Sequence, residues 1–145
     1  MNEAPFEEIE HTADWAIRVR GRDLRALFEA AARGMFSLLV DLAQVAPERT
    51  LELDLRAIDA ETLLVDWLNE LLYLSEDKGI AFSEFDITSI DTSMTAPGLA
   101  ESRLQATVVG GRVHELRRTI KAATFNAIAI RRLDSGCEAE IVFDV

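Results

Sequence analysis

The chain has 145 residues, of which 49% are hydrophobic and 28% charged, and its formal net charge is −11. These values are typical of a globular protein, so we expect residues 1–145 to form a single domain with its own core. Phosphate contacts need clustered lysine and arginine, so the acidic balance argues against direct nucleic-acid binding. The charge fits a protein partner with a basic surface or a cation site, and it equally fits a role in solubility alone.

The cysteine content and the hydropathy pattern exclude further classes of protein. Cys137 is the only cysteine, which rules out an intramolecular disulfide and a cysteine zinc cluster. The first ten residues carry four glutamates and no apolar run of the kind found in signal peptides. The densest apolar stretch, 63–74, is too short to span a bilayer and is interrupted by polar residues. We therefore expect a cytoplasmic protein with no membrane association.

The first half of the chain predicts three strands and two long helices. Apolar residues recur every three or four positions from 24 to 42, the spacing of an amphipathic helix, and Asp23 is placed to cap it. Asp59 is placed to cap a second helix, and Gly79 to close it. Alternation of apolar and polar residues predicts two strands before the first helix and one strand between the two helices. The predicted strands are 6–10, 14–20 and 51–55, and the predicted helices are 24–42 and 60–77.

The two predicted helices differ in the width of their polar faces. The first carries charged residues opposite its apolar stripe, and Gly34 in its middle costs ~1 kcal/mol relative to alanine, which indicates close approach of another element. The second is apolar round most of its circumference, a pattern typical of a helix buried on two sides. The polar residues are Arg25, Glu29 and Arg33 on the first helix, and Asp66, Asn69, Glu70 and Tyr73 on the second.

The second half of the chain predicts mostly strand. Turn signals lie at Gly110-Gly111 and at 134–136, and alternation from 119 to 132 predicts one long strand. Strands in hairpin order with two helices predict an α+β fold. Because the second helix is apolar on two sides, we expect both long helices to be packed between antiparallel or mixed β-sheets. The remaining predicted strands are 80–90, 104–108 and 139–145.

Carboxylates at two predicted strand ends form the main candidate site. Asp14 lies on the polar face of the second strand, and Asp144 is followed by Val145 with its terminal carboxylate. Oxygen donors of this kind suit Ca²⁺, Mg²⁺ or Mn²⁺, so these three residues are candidate metal ligands. The residues alone leave a simpler interpretation open, two exposed aspartates that bind nothing, because no spacing rule links positions so far apart.

The histidines and Lys121 are weaker candidates. His11 fits a general base or a metal ligand, and equally a histidine bonded to the backbone at a strand end. Lys121 fits a charge partner for carboxylates or an exposed strand lysine, and His114 fits a solvated basic loop. The sequence has no serine in a nucleophile elbow, no indicated cysteine–histidine pair and no glycine-rich phosphate loop. We therefore expect that the protein is not an enzyme.

Five stretches, in order along essentially the whole chain, together resemble the archease family. None of them is decisive alone, but the ordered set is specific. The stretches are Glu10-His11-Thr12-Ala13-Asp14; Asp23-Leu24 with Ala31-Ala32-Arg33-Gly34-Met35-Phe36; Leu64-Val65-Asp66-Trp67-Leu68-Asn69-Glu70-Leu71-Leu72-Tyr73; Lys121-Ala122-Ala123-Thr124-Phe125; and Phe143-Asp144-Val145.

The resemblance implies a function and a site. Archeases are small accessory proteins of the RtcB-type RNA ligase, which seals tRNA exons; they promote guanylylation of the ligase and repeated turnover, and are not ligases themselves. The family's metal ligands correspond here to Asp14, Asp144 and Val145, and the family's lysine to Lys121 on the same functional surface. The family fold places helices between sheets, as expected above from the second helix.

Two departures from the family pattern bear on this expectation. Asn126 stands where the family often has a histidine, and the stretch before Lys121 is shorter than usual. The alternative function is a stand-alone metal-binding chaperone or protein-interaction module without a ligase partner.

Overall fold

The computed structural model describes residues 5–9 and 15–145. Eight strands, two α-helices and a short 3-10 helix are found in these ranges. In chain order they are β1 (Phe6–Ile9), β2 (Trp15–Gly21), α1 (Leu24–Leu39), the 3-10 helix (Leu42–Gln44), β3 (Arg49–Ala57), α2 (Ala60–Lys78), β4 (Ile80–Asp91), β5 (Ser102–Arg112), β6 (Ala122–Ala123), β7 (Ile130–Leu133) and β8 (Gly136–Asp144).

The strands form two antiparallel sheets with the helices between them. In the first sheet β1 pairs with β2, β2 with β8, and β8 with both β6 and β7. In the second sheet β5 lies between β3 and β4. α1 contacts β2 of the first sheet and β4 of the second, while α2 contacts β6 and β3. The predicted α+β fold with helices between sheets is confirmed, and every strand pair described is antiparallel.

Both helices begin at the predicted caps. The Asp23 carboxylate accepts the amide of Ala26 at 2.8 Å, and the Asp59 carboxylate accepts that of Thr62 at 2.8 Å. Gly79 ends α2 with φ +66°, the left-handed conformation that glycine adopts without strain. α1 ends at Leu39, earlier than predicted, because the backbone becomes extended at the next residue and a separate 3-10 turn follows.

The core lies between the sheets and surrounds α2. Its residues from the middle of α2 are fully buried, and the Trp67 indole N–H donates to the carbonyl of Phe28 at 3.0 Å, which ties α2 to α1. The close approach predicted at Gly34 is also observed: a Cβ there would lie 3.0 Å from Ile17 Cδ1 and 3.0 Å from the Phe6 ring. The buried core residues of α2 are Ala60, Leu63, Leu64, Val65, Trp67, Leu68 and Leu71.

The charged face of α1 closes the outer edge of β4. The Glu29 carboxylate accepts the amide of Ile87 at 2.8 Å. Arginines one turn to either side of Glu29 donate to the carbonyls of two residues at which the β4–β5 register shifts. These bonds satisfy backbone groups of an edge strand that could otherwise pair with another chain. The arginine bonds are Arg25 to Thr88 at 3.2 Å and Arg33 to Ser83 at 3.4 Å.

The turn predicted at Gly110-Gly111 is wrong, because both glycines lie within β5. A Cβ on Gly110 would sit 2.1 Å from the carbonyl oxygen of Ala81, and one on Gly111 would sit 2.1 Å from that of Ala46. These glycines therefore permit close approach of neighbouring backbone and do not reverse the chain.

The single long strand predicted at 119–132 is also wrong. Two short strands, β6 and β7, pair with β8, and the six residues 124–129 between them lie opposite only three, 140–142. The extra length forms a turn in which Ala127 has φ +54° and the amide of Ile128 donates to the carbonyl of Phe125 at 3.2 Å. Alternation along the sequence could not reveal this excursion, because it depends on the length of the facing strand.

Within the described ranges, neither helix is long and apolar enough to cross a membrane.

Candidate functional site

The candidate site lies at the C-terminal end of β8. Asp144 is the last residue of this strand and is exposed, and Val145 beyond it is 37% exposed. On one side β8 pairs with β2, where Trp15 lies opposite Phe143. On the other side it pairs with β6, where Ala122 lies opposite Asp144. The end of β8 is thus held between two strands while the Asp144 carboxylate faces solvent.

Lys121 lies directly beside this strand end. Its backbone amide donates to the carbonyl of Asp144 at 2.8 Å, and its side chain is exposed. It immediately precedes β6 and does not lie within a long strand as predicted. Of the predicted site residues, the structure therefore brings Lys121, Asp144 and Val145 together. His11 and Asp14 lie outside the described residues.

β6 is only two residues long, and α2 holds it in place. The side-chain amide of Asn69 donates to the Ala123 carbonyl at 3.0 Å and accepts the Ala123 amide at 2.7 Å. On the other side, the Thr124 hydroxyl and amide both donate to the Val142 carbonyl at 2.9 Å. Asn69 therefore acts as a sheet partner for β6 and fixes the chain next to Lys121. Asn69 is the one side-chain amide among the polar residues of α2, and the sequence pattern did not indicate this role.

The rest of the α2 polar stripe lies along the same segment of chain. The Glu61 carboxylate accepts the amide of Ile130 at 3.1 Å, so α2 holds the chain at the start of β7 as well as at β6. Asp66 lies between these two contacts along the helix and is partly buried. Burial raises the pKa of the Asp66 carboxyl above its ordinary value of 3.8. Asn69 and Glu61 of α2 thus hold the chain at Ala123 and at Ile130.

The loop before Lys121 contains a residue whose role the sequence did not indicate. Arg118 lies in the basic loop for which solvation was predicted at His114, and both His114 and Arg117 are indeed exposed. Its own guanidinium instead bonds the Glu8 carboxylate at 3.0 Å and lies 4.4 Å from the centre of the Trp15 ring. No sequence spacing connects residues so far apart.

Four exposed apolar side chains lie on chain segments next to this end of β8, while Ile58, Leu99 and Leu133 are exposed on other segments. Leu116 and Phe125 lie on the segments that flank Lys121, Val145 follows Asp144, and Tyr73 is one turn beyond Asn69 on α2. A groove of about 350 Å³ between α2 and the loop is lined by apolar residues that include Leu72 and Leu116 and by polar residues that include Glu76, Arg118 and Lys121. The exposed fractions are 62% for Tyr73, 57% for Leu116, 56% for Phe125 and 37% for Val145.

The oxygen ligands available at the end of β8 are compatible with a hard cation. The Asp144 carboxylate and the main-chain oxygen of Val145 are the type of ligand that Ca²⁺, Mg²⁺ and Mn²⁺ prefer. Across residues 5–9 and 15–145, however, there is no group of three histidine, cysteine, aspartate or glutamate side chains able to hold a metal ion. Asp14, the third residue predicted as a ligand, lies outside these ranges.

Asn126, at the position where the family often has a histidine, lies in the excursion between β6 and β7. Its side chain is exposed, and its backbone amide donates to the Thr124 hydroxyl at 3.3 Å.

Comparison with known proteins identifies the family. The model of the archease protein family (MTH1598/TM1083) matches residues 6–145. A protein archease of Methanosarcina barkeri is 34% identical over 145 residues, covering 97% of this chain and 95% of the relative. One from Saccharolobus islandicus is 36% identical over 140 residues, covering 97% of this chain and 98% of the relative.

Solved structures agree with this result. The solution structure of Methanobacterium thermoautotrophicum protein 1598 matches with a TM-score of 0.83 and 31% identity, covering 99% of this chain and all of the other. A Thermotoga maritima crystal structure, described as an archease and possible chaperone, matches with a TM-score of 0.59 and 22% identity over 96% of each chain, which supports the fold alone. This chain belongs to the archease family.

Proposed function

We propose that this protein is an accessory factor of an RtcB-type tRNA-splicing RNA ligase, which promotes guanylylation of the ligase and multiple turnover. One observation carries the proposal. The chain matches the archease family along nearly its full length. Lys121 and Asp144 are the two described polar residues that the family resemblance implies, and the Lys121 amide donates a hydrogen bond to the Asp144 carbonyl. The protein is then an activator and has no catalytic reaction of its own.

We infer that Asp14, Asp144 and Val145 bind a divalent cation at this surface. The inference is supported by the register of β2 and β8. Trp15 lies opposite Phe143, while Asp14 precedes the first of these residues in the chain and Asp144 follows the second. Carboxylates that converge repel each other unless a cation neutralises them. When bound, the cation would supply positive charge at the partner's nucleotide pocket, where guanylylation requires metal.

Lys121 and His11 complete the proposed functional surface. Lys121 presents a second positive charge at the end of β8, beside the Asp144 main chain. His11 belongs to the same tetrad as Asp14 in the sequence. Leu116 and Phe125, which are exposed on the segments that flank Lys121, are suited to contact a protein partner, because apolar and aromatic side chains are common in the centre of interfaces.

The direct test is the guanylylation of a purified cognate ligase with GTP and Mn²⁺, in the presence of substoichiometric amounts of this protein. We expect faster guanylylation and several turnovers per molecule of activator. Asp14→Ala and Asp144→Asn should each lose most of the stimulation and weaken Mn²⁺ binding measured by calorimetry.

Glu140→Gln is the matched control for these variants. It removes a carboxylate from the same strand, four residues before Asp144, where Glu140 forms only a 3.9 Å ion pair with Arg18. This variant should stimulate the ligase as the wild type does. If folded Asp14→Ala protein stimulates as well as wild type, the cation site is wrong, and if the wild type itself has no effect, the accessory role is wrong.

The second candidate is a metal-binding chaperone or protein-interaction module that acts without a ligase. The exposure of the apolar side chains Tyr73, Leu116 and Phe125 favours some protein partner but does not select a ligase. The same guanylylation assay separates the two functions, because this candidate predicts no change in the rate.

A further inference from the structure

We propose that Arg118 is a positioning residue for the candidate site: its guanidinium bridges Glu8 of β1 and Trp15 of β2. These two residues flank the chain segment that contains His11 and Asp14. The proposal rests on the proposed function for the identity of the site. It adds a residue that neither the family resemblance nor the sequence pattern assigned.

The contacts of Arg118 are specific to its planar group. Its Nη1 atom donates to Glu8 Oε2 at 3.0 Å, and its Cζ atom lies 4.4 Å from the centre of the Trp15 ring. A guanidinium can stack on an aromatic face and donate in its own plane at the same time, which a lysine ammonium cannot do. One side chain therefore holds both flanks of the 10–14 segment.

Arg118 is also coupled to Lys121 through a short and anchored stretch of chain. Ile120 between them is 7% exposed and belongs to the core. The amide of Lys121 is fixed to the carbonyl of Asp144 at 2.8 Å. Three peptide steps therefore connect the contact with β1 and β2 to the contact with the end of β8. Arg118 thereby sets the distance between the hairpin flanks and the Lys121–Asp144 pair.

The neighbouring Arg117 makes none of these contacts and provides a matched control. Its Nη2 atom lies 3.7 Å from Asp41 Oδ2, in an exposed ion pair, and its amide donates to the carbonyl of Leu39 at 2.7 Å. Replacing its side chain removes the same charge from the same loop and leaves Glu8 and Trp15 in contact with Arg118.

Two measurements on the full chain test the proposal. The first is amide hydrogen exchange of residues 9–17 without metal, and the second is a calorimetric titration with Mn²⁺ alone. In Arg118→Gln we expect faster exchange in this segment and about 3- to 10-fold weaker Mn²⁺ binding, the range expected for loss of one partly exposed ion pair and one cation–π contact. Arg117→Gln should match the wild type in both.

Arg118→Lys separates positioning from a general loss of stability. Lysine keeps a cation near the Trp15 ring and the Glu8 carboxylate but has no planar group, so both readouts should lie between wild type and Arg118→Gln. The variants should be compared at the same number of degrees below their own melting temperatures. Alternatively, the exchange rates of buried α2 amides serve as an internal reference for global stability.

The outcomes distinguish this proposal from the proposed function. If Arg118→Gln has wild-type exchange and wild-type Mn²⁺ affinity, the positioning role is overturned even where Asp144→Asn abolishes binding. If the wild type binds no Mn²⁺, the cation site fails, and the exchange comparison between Arg118→Gln and Arg117→Gln still decides whether Arg118 holds the hairpin flanks.

Discussion

Two strand edges in this molecule are closed by helix side chains, and they are closed in different ways. The outer edge of β4 is bonded by three charged residues of α1, with Glu29 between two arginines. The two-residue strand β6 is bonded by one neutral residue of α2, Asn69, through both its donor and its acceptor. The first closure extends along a long strand, and the second is concentrated at one residue.

The difference shows which edge a single substitution can disturb. On β4 the loss of one contact leaves two others and the full ladder with β5 in place. On β6 the loss of Asn69 leaves a strand with two paired residues next to Lys121. Asn69 is therefore important to the candidate site, although it is not a predicted ligand.

Asn69→Ala should have the largest effect on stability. It leaves the amide and carbonyl of Ala123, a residue that is 3% exposed, without their helix partner, at a cost of roughly 2–4 kcal/mol of unfolding free energy. Chemical denaturation measures this loss. Asn126→Ala, which replaces an exposed asparagine in the following turn, is the control and should change stability by less than about 0.5 kcal/mol. Equal stability of the two variants would contradict the role given to Asn69.

Glu29→Ala should have a smaller effect on the β4 edge. The amide of buried Ile87 loses its acceptor, which we expect to cost about 1–2 kcal/mol, while Arg25 and Arg33 still bond the same strand. Glu29→Gln keeps an acceptor oxygen and should lose less than half as much in the same denaturation experiment. A loss as large as that of Asn69→Ala would show that the two edges are equally sensitive.

The pairing of β8 with β2 and β7 should depend on pH, in contrast to its pairing with β6, because Glu138 of β8 bonds Arg20 of β2 and Arg131 of β7. The hydrogen bond from Arg20 is the main cause that holds the pKa of the Glu138 carboxyl below its ordinary value of 4.5, and the charge of Arg131 acts in the same direction. The stabilisation is therefore present above pH 4.5 and is lost as pH falls through the lower pKa of the folded state.

Glu138→Gln measures this contribution. Its unfolding free energy should be about 1 kcal/mol below that of the wild type at pH 7, and the gap should close in acid. Glu140→Gln, which removes a more exposed carboxylate of the same strand, should show a smaller gap at pH 7. A gap that is constant with pH would exclude the ion pairs as its cause.

Asp66→Asn should have the smallest effect, and of the opposite sign. Because burial raises the pKa of Asp66, its ionisation destabilises the folded state as pH rises through that pKa. The variant should match the wild type in acid and unfold at a slightly higher temperature at pH 7. A lower melting temperature at pH 7 would mean that the carboxylate has a bonding partner that outweighs its desolvation.

Features set by neighbouring residues in the chain could be predicted from sequence. The caps at Asp23 and Asp59, the left-handed end at Gly79 and the two-sided burial of α2 all follow from local spacing and side-chain type. The family motifs, which are ordered along the chain, likewise predicted that Lys121 and Asp144 share a surface.

Features set by distant segments could not be predicted in this way. The long strand predicted at 119–132 divides into β6 and β7 because of the length of β8 opposite, and Gly110 serves close packing against Ala81 rather than a turn. Arg118 and Glu8 meet only in the folded chain. Alternation and spacing carry no information about such contacts.

We propose that the end of β8 beside Lys121 is the surface through which this protein activates the ligase. The chain has two lysines, and Lys78, exposed in the last turn of α2, is the matched control. The most direct measurement is the initial rate of guanylylation of a cognate RtcB-type ligase with GTP and Mn²⁺, at equal substoichiometric amounts of wild type, Lys121→Gln and Lys78→Gln. We expect Lys121→Gln to lose most of the stimulation and Lys78→Gln to keep it. Stimulation by Lys121→Gln equal to that by Lys78→Gln would contradict the claim.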